Sequence, residues 1–475
     1  MFKKYILLDK QQIIGDICDL ISYPSISEET NDSNFPFGKS CFDCLKHFLH
    51  IAKSLGFKTK NVDGYCGFIE FGEGDELIGI IGHLDVVPAK ADDWSYDPFI
   101  PTLSNNCIYG RGAIDDKGPV VSCLYAMKAV MNYLKENNIS FNKRVRLIVG
   151  LNEEKNWKCI NYYKEHEEIP SLGFSPDSDF PCIYAEKSVV SLTLSQNISK
   201  TTINNKLFPI IIEEINCNNN AINVVPKFCS VILKLVDKHI IQKVILCCKK
   251  IINNYNYEID LYKIDDNHIK LSSYGIASHS AHPELGVNSI SKLLIVLNDL
   301  FKNWNINIPL VNNFCNYIGD DYLGNKLNLN IEDESGNLTL NTSQFSYIDN
   351  KIIIGIDLRI PVHTDINNVI DTFNKIFVNQ VNILKIQPHL LVDQNNILVK
   401  KLCDIFNETC DSNYSPLSIG GATFARAFPN CISFGMNFPG DKDMCHKIDE
   451  FIDIDKLLLS TNIYAKAIYE LLQIW

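Results

Sequence analysis

Apolar residues recur at helical spacing in "QQIIGDICDLIS" and over residues 40–55, whereas "YCGFIEFG" and "ELIGIIGHLDVV" read as strands, the second apolar on both faces. After "DDKGP", the stretch "VVSCLYAMKAVMNYLKEN" predicts a strong helix, with Pro119 near its first turn where helix starts favour it. "KRVRLIVGLNEE" is then a further buried strand that stops at two adjacent glutamates. Strands alternating with helices imply an α/β layer built on a largely parallel sheet.

From about residue 187 the pattern changes. Strands and short helices follow one another through "SVVSLTLSQN", "CSVILKLVD", "HIIQKVILCCKKIINNY", "HIKLSSYG" and "NSISKLLIVLNDLFKNW", and "NLTLNTSQFSYIDNKIIIGIDLRIPV" reads as a hairpin turning at Asp349-Asn350. This texture is α+β. From about residue 385 the α/β pattern resumes, ending in the helix "KLLLSTNIYAKAIYELLQ". The expected architecture is an α/β domain with a mostly parallel sheet formed by residues 1–186 and 385–475, carrying an inserted α+β domain over residues 187–384. A chain of 475 residues is long enough for two such cores.

Composition narrows the partners. A formal charge of -12 argues against a phosphate-backbone partner, so nucleic acid is not expected. The start, "MFKKYILLDKQQ", has an apolar run too short for a membrane span or a signal-peptide core, which points to a cytoplasmic protein without a membrane partner. Seventeen scattered cysteines in such a chain read as reduced thiols. Cys41 and Cys44 form a C-x-x-C, but on an amphipathic helix with Phe48, Leu49 and Ile51 they read as core positions.

Four strand ends present residues that bind metals: His83 and Asp85 in "IIGHLDVVPA", Asp115 and Asp116 in "YGRGAIDDKGP", Glu153 and Glu154 in "GLNEEKNW", Asp177 and Asp179 in "GFSPDSDFP". In open α/β sheets ligands collect beyond the carboxyl ends of strands. Two residues apart, His83 and Asp85 lean to one face, so Asp85 can hydrogen-bond the ring and fix its tautomer. Adjacent Glu153 and Glu154 aim in different directions and divide two tasks. One histidine with several carboxylates suits Zn²⁺, with Mn²⁺ and Co²⁺ as alternatives, and this many candidate ligands can hold two ions.

The string H83-L-D85-V-V-P, then W94 and D97-P-F, then G110-R-G-A-I-D115-D-K-G-P, resembles the co-catalytic di-zinc metallopeptidases of the aminoacylase and carboxypeptidase superfamily. "NEEKNWKCINYY" and "IPSLGFSPDSDFPCIYAEK" look most like the bacterial dipeptidases of the dipeptidase V and Xaa-His (carnosinase-like) type, and the resemblance runs over nearly the whole chain. It implies a zinc-peptidase-like catalytic domain and an inserted lid. Two Zn²⁺ per chain would be held by His83, Asp115, Glu154, Asp177 and His446, with Asp115 bridging and commonly joined to its successor by a cis peptide. Asp116 is read as a supporting carboxylate. Glu153 would be the general base acting on a metal-bridging water, Asp85 would support His83, and His279 would polarise the scissile carbonyl. Asn223, Arg359, Gly421 and Thr423 are the implied substrate contacts, Arg359 holding a carboxylate with its fork.

The resemblance implies a dipeptide substrate lying between catalytic domain and lid, and a chain that works as a monomer because its long insertion supplies its own His279. Two other readings share the chain: an N-acyl-amino-acid deacylase with the same metal chemistry, and a non-catalytic binding homologue, whose signature would be a lost ligand or base. Ser188, Lys90 and Cys445 depart from the family pattern without removing a metal-ligating group.

Overall fold

The strand Glu76–His83 is buried at every position after its first, as a central strand apolar on both faces must be. The protein is described by a computed structural model covering residues 1–198, 208–217 and 221–474. Two units divide it: Met1–Ala185 with Leu390–Leu417 and Thr423–Trp475, and Glu186–His389 with Ser418–Ala422. The short return at 418–422 lies within the stretch that the sequence pattern assigns wholly to the α/β domain.

In the first unit, Glu76–His83 pairs in parallel with Lys143–Gly150 on one side and Leu172–Ser175 on the other. Leu172–Ser175 pairs in parallel with Cys431–Ser433. The edge strands differ from the expected parallel pattern, because Cys66–Gly72 runs antiparallel to Lys143–Gly150 and Lys58–Val62 antiparallel to Cys66–Gly72. Register sets His83 beside Gly150. These central strands therefore end at one level, with their polar continuations gathered at one side.

Helices cover the sheet with apolar faces. Lys117–Glu136 buries Val120, Val121, Leu124, Met127 and Val130, and a 2.8 Å hydroxyl contact between Ser122 and Thr461 ties it to the helix Ile454–Ile474. Cys41 and Cys44 are buried with Phe48 and Leu49 on Lys39–Ser54, as core positions. Lys117 is fully buried because its ammonium donates to the carbonyls of Leu20 and Tyr23 at 2.9 and 2.8 Å. Among the described residues no helix is long and apolar enough to cross a membrane.

The second unit is α+β, with two four-stranded antiparallel sheets. One runs in the order Thr339–Ile348, Lys351–Ile360, Ser188–Asn197, Val381–Gln387, and the other Ile210–Cys217, Phe228–Leu235, His268–Tyr274, Ile259–Lys263. The hairpin between Thr339–Ile348 and Lys351–Ile360 turns at Asp349 and Asn350, both at positive φ as a type I′ turn requires. Asn288 caps the helix Ser289–Asn303 by accepting the Ser291 N–H at 3.0 Å. Val231, Leu233, Leu271, Leu293, Leu297, Ile354 and Leu358 belong to the core of this unit.

Cysteine usage departs from expectation at one pair. Cys217 and Cys229 oppose each other across two antiparallel strands, with Cα atoms 4.2 Å apart, and are joined by a disulfide. Direct cross-strand partners come this close whenever they fall on a non-hydrogen-bonded pair, a register that the spacing of cysteines in sequence does not display. The other cysteines are free thiols.

One glycine is dictated by close approach. A Cβ on Gly82 would lie 2.5 Å from Asp116 Oδ2 and 2.7 Å from Val120, so the strand meets the start of Lys117–Glu136 only where there is no side chain. Asp116 uses that closeness to accept the His83 N–H at 3.0 Å. Gly82→Ala is expected to destabilise the protein by about 1–3 kcal/mol through overpacking. Urea denaturation checks this, and an unchanged midpoint contradicts it.

Candidate metal centre

Each polar residue of the site continues a buried element. His83 ends its strand, Glu153 and Glu154 follow Lys143–Gly150, Asp177 follows Leu172–Ser175, and Asp115 precedes the helix Lys117–Glu136. His446 lies in a turn at a φ of 62°. Their ligand atoms form two sets. Those of His83, Asp115 and Asp177 lie within 4.8 Å of one another, and so do those of Asp115, Glu154 and His446.

Asp115 is common to both sets, and its two oxygens face different histidines. Oδ1 lies 3.1 Å from His83 Nε2, whereas Oδ2 lies 3.0 Å from His446 Nε2. His83 Nε2 also approaches Asp177 Oδ2 at 3.6 Å, and His446 Nε2 approaches Glu154 Oε1 at 3.0 Å. Ligands bound at roughly 2.0–2.2 Å to one tetrahedral ion are about 3.3 Å apart, the spacing found here. Asp115 and Asp116 are joined by a cis peptide bond.

The tautomer of His83 strengthens the metal fit. Its Nδ1 faces the Asp85 carbonyl oxygen at 2.9 Å and so carries the proton. Nε2 is then a bare lone pair, fully buried and without a hydrogen-bond partner, turned toward carboxylate oxygens. A lone pair facing anions is repulsive unless a cation lies between them. The donor set fits divalent metal ions.

Charge tells the same story. Burial holds the Glu153 carboxyl well above the usual carboxylate range, and Asp177, Glu154 and Asp85 push the same way while His83 opposes. Burial also pushes Asp85 up to about 6, with Glu154 reinforcing it against His83 and two backbone N–H groups. So many buried acids next to one another call for positive charge among them.

Asp85 acts differently from the sequence reading. Its carbonyl, and not its carboxylate, accepts from His83; the nearer carboxylate oxygen is 3.6 Å from Nδ1. The carboxylate instead accepts the N–H groups of Glu153 and Glu154 at 3.0 and 3.2 Å. One residue thus fixes the ring and anchors the Glu153-Glu154 backbone.

Sequence reasoning passed over Glu450. Its Oε1 accepts the N–H groups of Gly112, Ile114 and Asp115 at 3.0, 2.9 and 3.2 Å, and its Oε2 the Arg111 guanidinium at 2.7 Å. The available signal was slight: an acidic residue four positions after His446, opening the apolar strand Phe451–Asp453.

The remaining candidates divide between the two units. Thr423, in the first, has its hydroxyl 2.8 Å from that of Ser433 and accepts the Ala425 N–H at 3.2 Å, capping the turn Phe424–Ala427. In the second, Val224 and His279 pair as a β-bridge and the Asn223 carbonyl accepts the Ser280 N–H at 2.9 Å, which brings Asn223 and His279 together. His279 Nδ1 accepts the Ala281 N–H at 3.2 Å, so the neutral ring carries its proton on Nε2. Arg359 is buried, its Nε donating to Asp357 at 2.9 Å and its Nη1 to the Gly420 carbonyl at 3.0 Å. Gly420 packs on Ala281, where a Cβ would come within 2.7 Å, and Gly421 follows it.

Two candidate ligand sets sharing one carboxylate suit the metal chemistry of a hydrolase. Comparison with known proteins makes this specific: residues 79–470 match the model of peptidase family M20/M25/M40, and the chain belongs to that family. It is 33% identical over 473 residues to the Bacillus subtilis protein named Putative dipeptidase YtjP, covering 98% of both chains. It is 31% identical over 485 residues to Putative dipeptidase SH1171 of Staphylococcus haemolyticus, covering 99% of both. Among solved structures the fold is similar to human carnosine dipeptidase 1, with a TM-score of 0.60, 12% identity, and 100% and 98% of the two chains covered. It is also similar to the Saccharomyces cerevisiae dipeptidase Dug1p, with a TM-score of 0.58, 14% identity and 98% of each chain covered.

Replacing Asp85 by Ala leaves the half-buried N–H groups of Glu153 and Glu154 without their acceptor. The expected loss of stability is about 1–3 kcal/mol per orphaned group, with weaker divalent-ion binding because Glu154 is no longer held. Chemical denaturation and ion titration of Asp85→Ala check both, and wild-type values in both would contradict the anchoring role.

Proposed function

We propose that the chain is a metal-dependent dipeptidase using two divalent ions, Zn²⁺ in the first instance, and that it acts as a cytoplasmic monomer. The observation that carries this reading is Asp115, whose two oxygens face His83 and His446 separately, as a bridging ligand must. Named relatives of nearly the same length support a dipeptide as substrate. His83 and Asp177 would complete the set for one ion, and Glu154 and His446 that for the other.

Divalent ions held there would supply Lewis-acid activation. Glu153 takes the proton of the attacking water and delivers it to the leaving amine, a task suited to a carboxyl whose affinity for protons is raised by burial. Asp85 holds Glu153 at its backbone and His83 at its ring. His279, with its proton on Nε2, donates to the scissile carbonyl oxygen. Asn223, Gly421 and Thr423 line the substrate backbone, and Arg359 attracts the terminal carboxylate.

The two glutamates separate under test. Glu153→Ala is expected to keep its metal and lose about 10²–10⁴-fold in kcat, whereas Glu154→Ala is expected to lose metal. Metal content by elemental analysis and turnover of dipeptides decide this; near-normal kcat in Glu153→Ala would sink the general-base role. Removing metal with a chelator should abolish dipeptide hydrolysis, and adding Zn²⁺, Mn²⁺ or Co²⁺ should restore it. If the loaded protein cleaves N-acetyl amino acids and spares dipeptides, the substrate class is wrong. Light scattering on the eluted peak checks the monomer.

A further inference from the structure

We propose that Glu450 is the positioning residue that sets the bridging carboxylate Asp115 against His446, an inference that rests on the two-ion reading. Glu450 is fully buried, and one of its oxygens takes three backbone N–H groups, those of Gly112, Ile114 and Asp115. The segment that bears Asp115 has left the short strand Cys107–Tyr109 and has not yet entered the helix Lys117–Glu136. Its N–H groups point inward with no ladder to pair them, and the carboxylate fills that role as an anion in a backbone nest. Because the Asp115 N–H is itself held, only two side-chain torsions separate a fixed backbone from the carboxylate shared by both ligand sets.

The other oxygen fixes the clamp in place. Oε2 accepts from Arg111, whose guanidinium lies 4.9 Å from the Trp94 ring centroid. The neighbouring Asp449 accepts the N–H and hydroxyl of Ser95 at 2.7 and 2.8 Å. Phe451 pairs with Tyr109, and the Gly110 N–H donates to the Glu450 carbonyl at 3.0 Å. Residues 449–453 are thereby registered on the segment 107–115, and His446 stands four positions before Glu450. The Glu450 side chain adds to this register a direct link between the backbone of the bridging ligand and the segment that follows the histidine of one ion. A group needed only for packing would not require a buried carboxyl that takes this many donors, since burying one is costly.

Glu450→Gln tests the proposal in the full-length, zinc-loaded protein. Whichever way the amide turns, its NH₂ opposes either the three backbone N–H groups or Arg111. The expected result is a folded protein whose zinc affinity, read by competition with a chelating dye, falls about 10- to 100-fold, with kcat reduced and KM little changed. Phe2→Ala serves as the control for destabilisation alone. Phe2 packs edge-on to Tyr133 and Tyr469, roughly 24 Å along the helix from Lys117, and its loss should lower Tm without changing zinc affinity. If Glu450→Gln does not fold, Arg111→Lys is read instead. It keeps the charge but loses the planar fork, and at least about a threefold weakening is expected.

Wild-type zinc affinity in a folded Glu450→Gln, or in Arg111→Lys where that variant is the one read, overturns the proposal, as does an equal loss in Phe2→Ala. A wild-type protein that takes up no divalent ion defeats the two-ion reading and this inference with it. Tight wild-type binding left intact in Glu450→Gln defeats this inference alone.

Discussion

Like charge gathered around Asp115 is the constraint that organises this molecule. Two carboxylates about 4 Å apart repel by roughly 4 kcal/mol at an effective dielectric of about 20, and this site brings Asp85, Asp115, Asp116, Glu153, Glu154 and Asp177 together. The fold meets that cost in two ways. Three carboxylates outside the ligand sets accept backbone N–H groups: Asp116 through one oxygen from His83, Asp85 from Glu153 and Glu154, and Glu450 from the segment before Lys117. Those within the sets, Asp115, Glu154 and Asp177, face imidazole nitrogens and one another. The division explains why fixed elements underlie the site: the ends of parallel strands lead to Glu154 and Asp177, and the segment before the helix Lys117–Glu136, held by Glu450, carries Asp115.

Much of this was legible in the sequence, for a physical reason. A strand buried on both faces must be an unbroken apolar run, so its polar end is conspicuous, and His83, Glu153, Glu154 and Asp177 all follow such runs. The hairpin at Asp349-Asn350 was equally readable, because few residues tolerate two successive positive φ values. What stayed hidden depends on pairing between distant segments. Alternation within a strand does not say whether its neighbour runs parallel, so a mostly parallel sheet is expected without saying which strands, here Lys58–Val62 and Cys66–Gly72, are the antiparallel ones. Nothing periodic links Glu450 to residues 112–115, and the opposition of Cys217 and Cys229 depends on a register that neither strand announces alone. For Asp85 the spacing located the contact with His83 correctly but could not tell a carbonyl from a carboxylate as the acceptor.

The small return of residues 418–422 to the second unit has a consequence for how the chain is made. Synthesis is vectorial, and the ribosome delivers about 5–20 residues per second. Arg359 leaves it 61 residues ahead of the Gly420 carbonyl that receives its guanidinium, a wait of roughly 3–12 s. During that interval Arg359 has Asp357 as an acceptor but lacks the second, the Gly420 carbonyl. The first unit waits longer still, since His446 and the helix Ile454–Ile474 come last. The second unit is complete only once residue 422 has been made, and the first only once the last helix has.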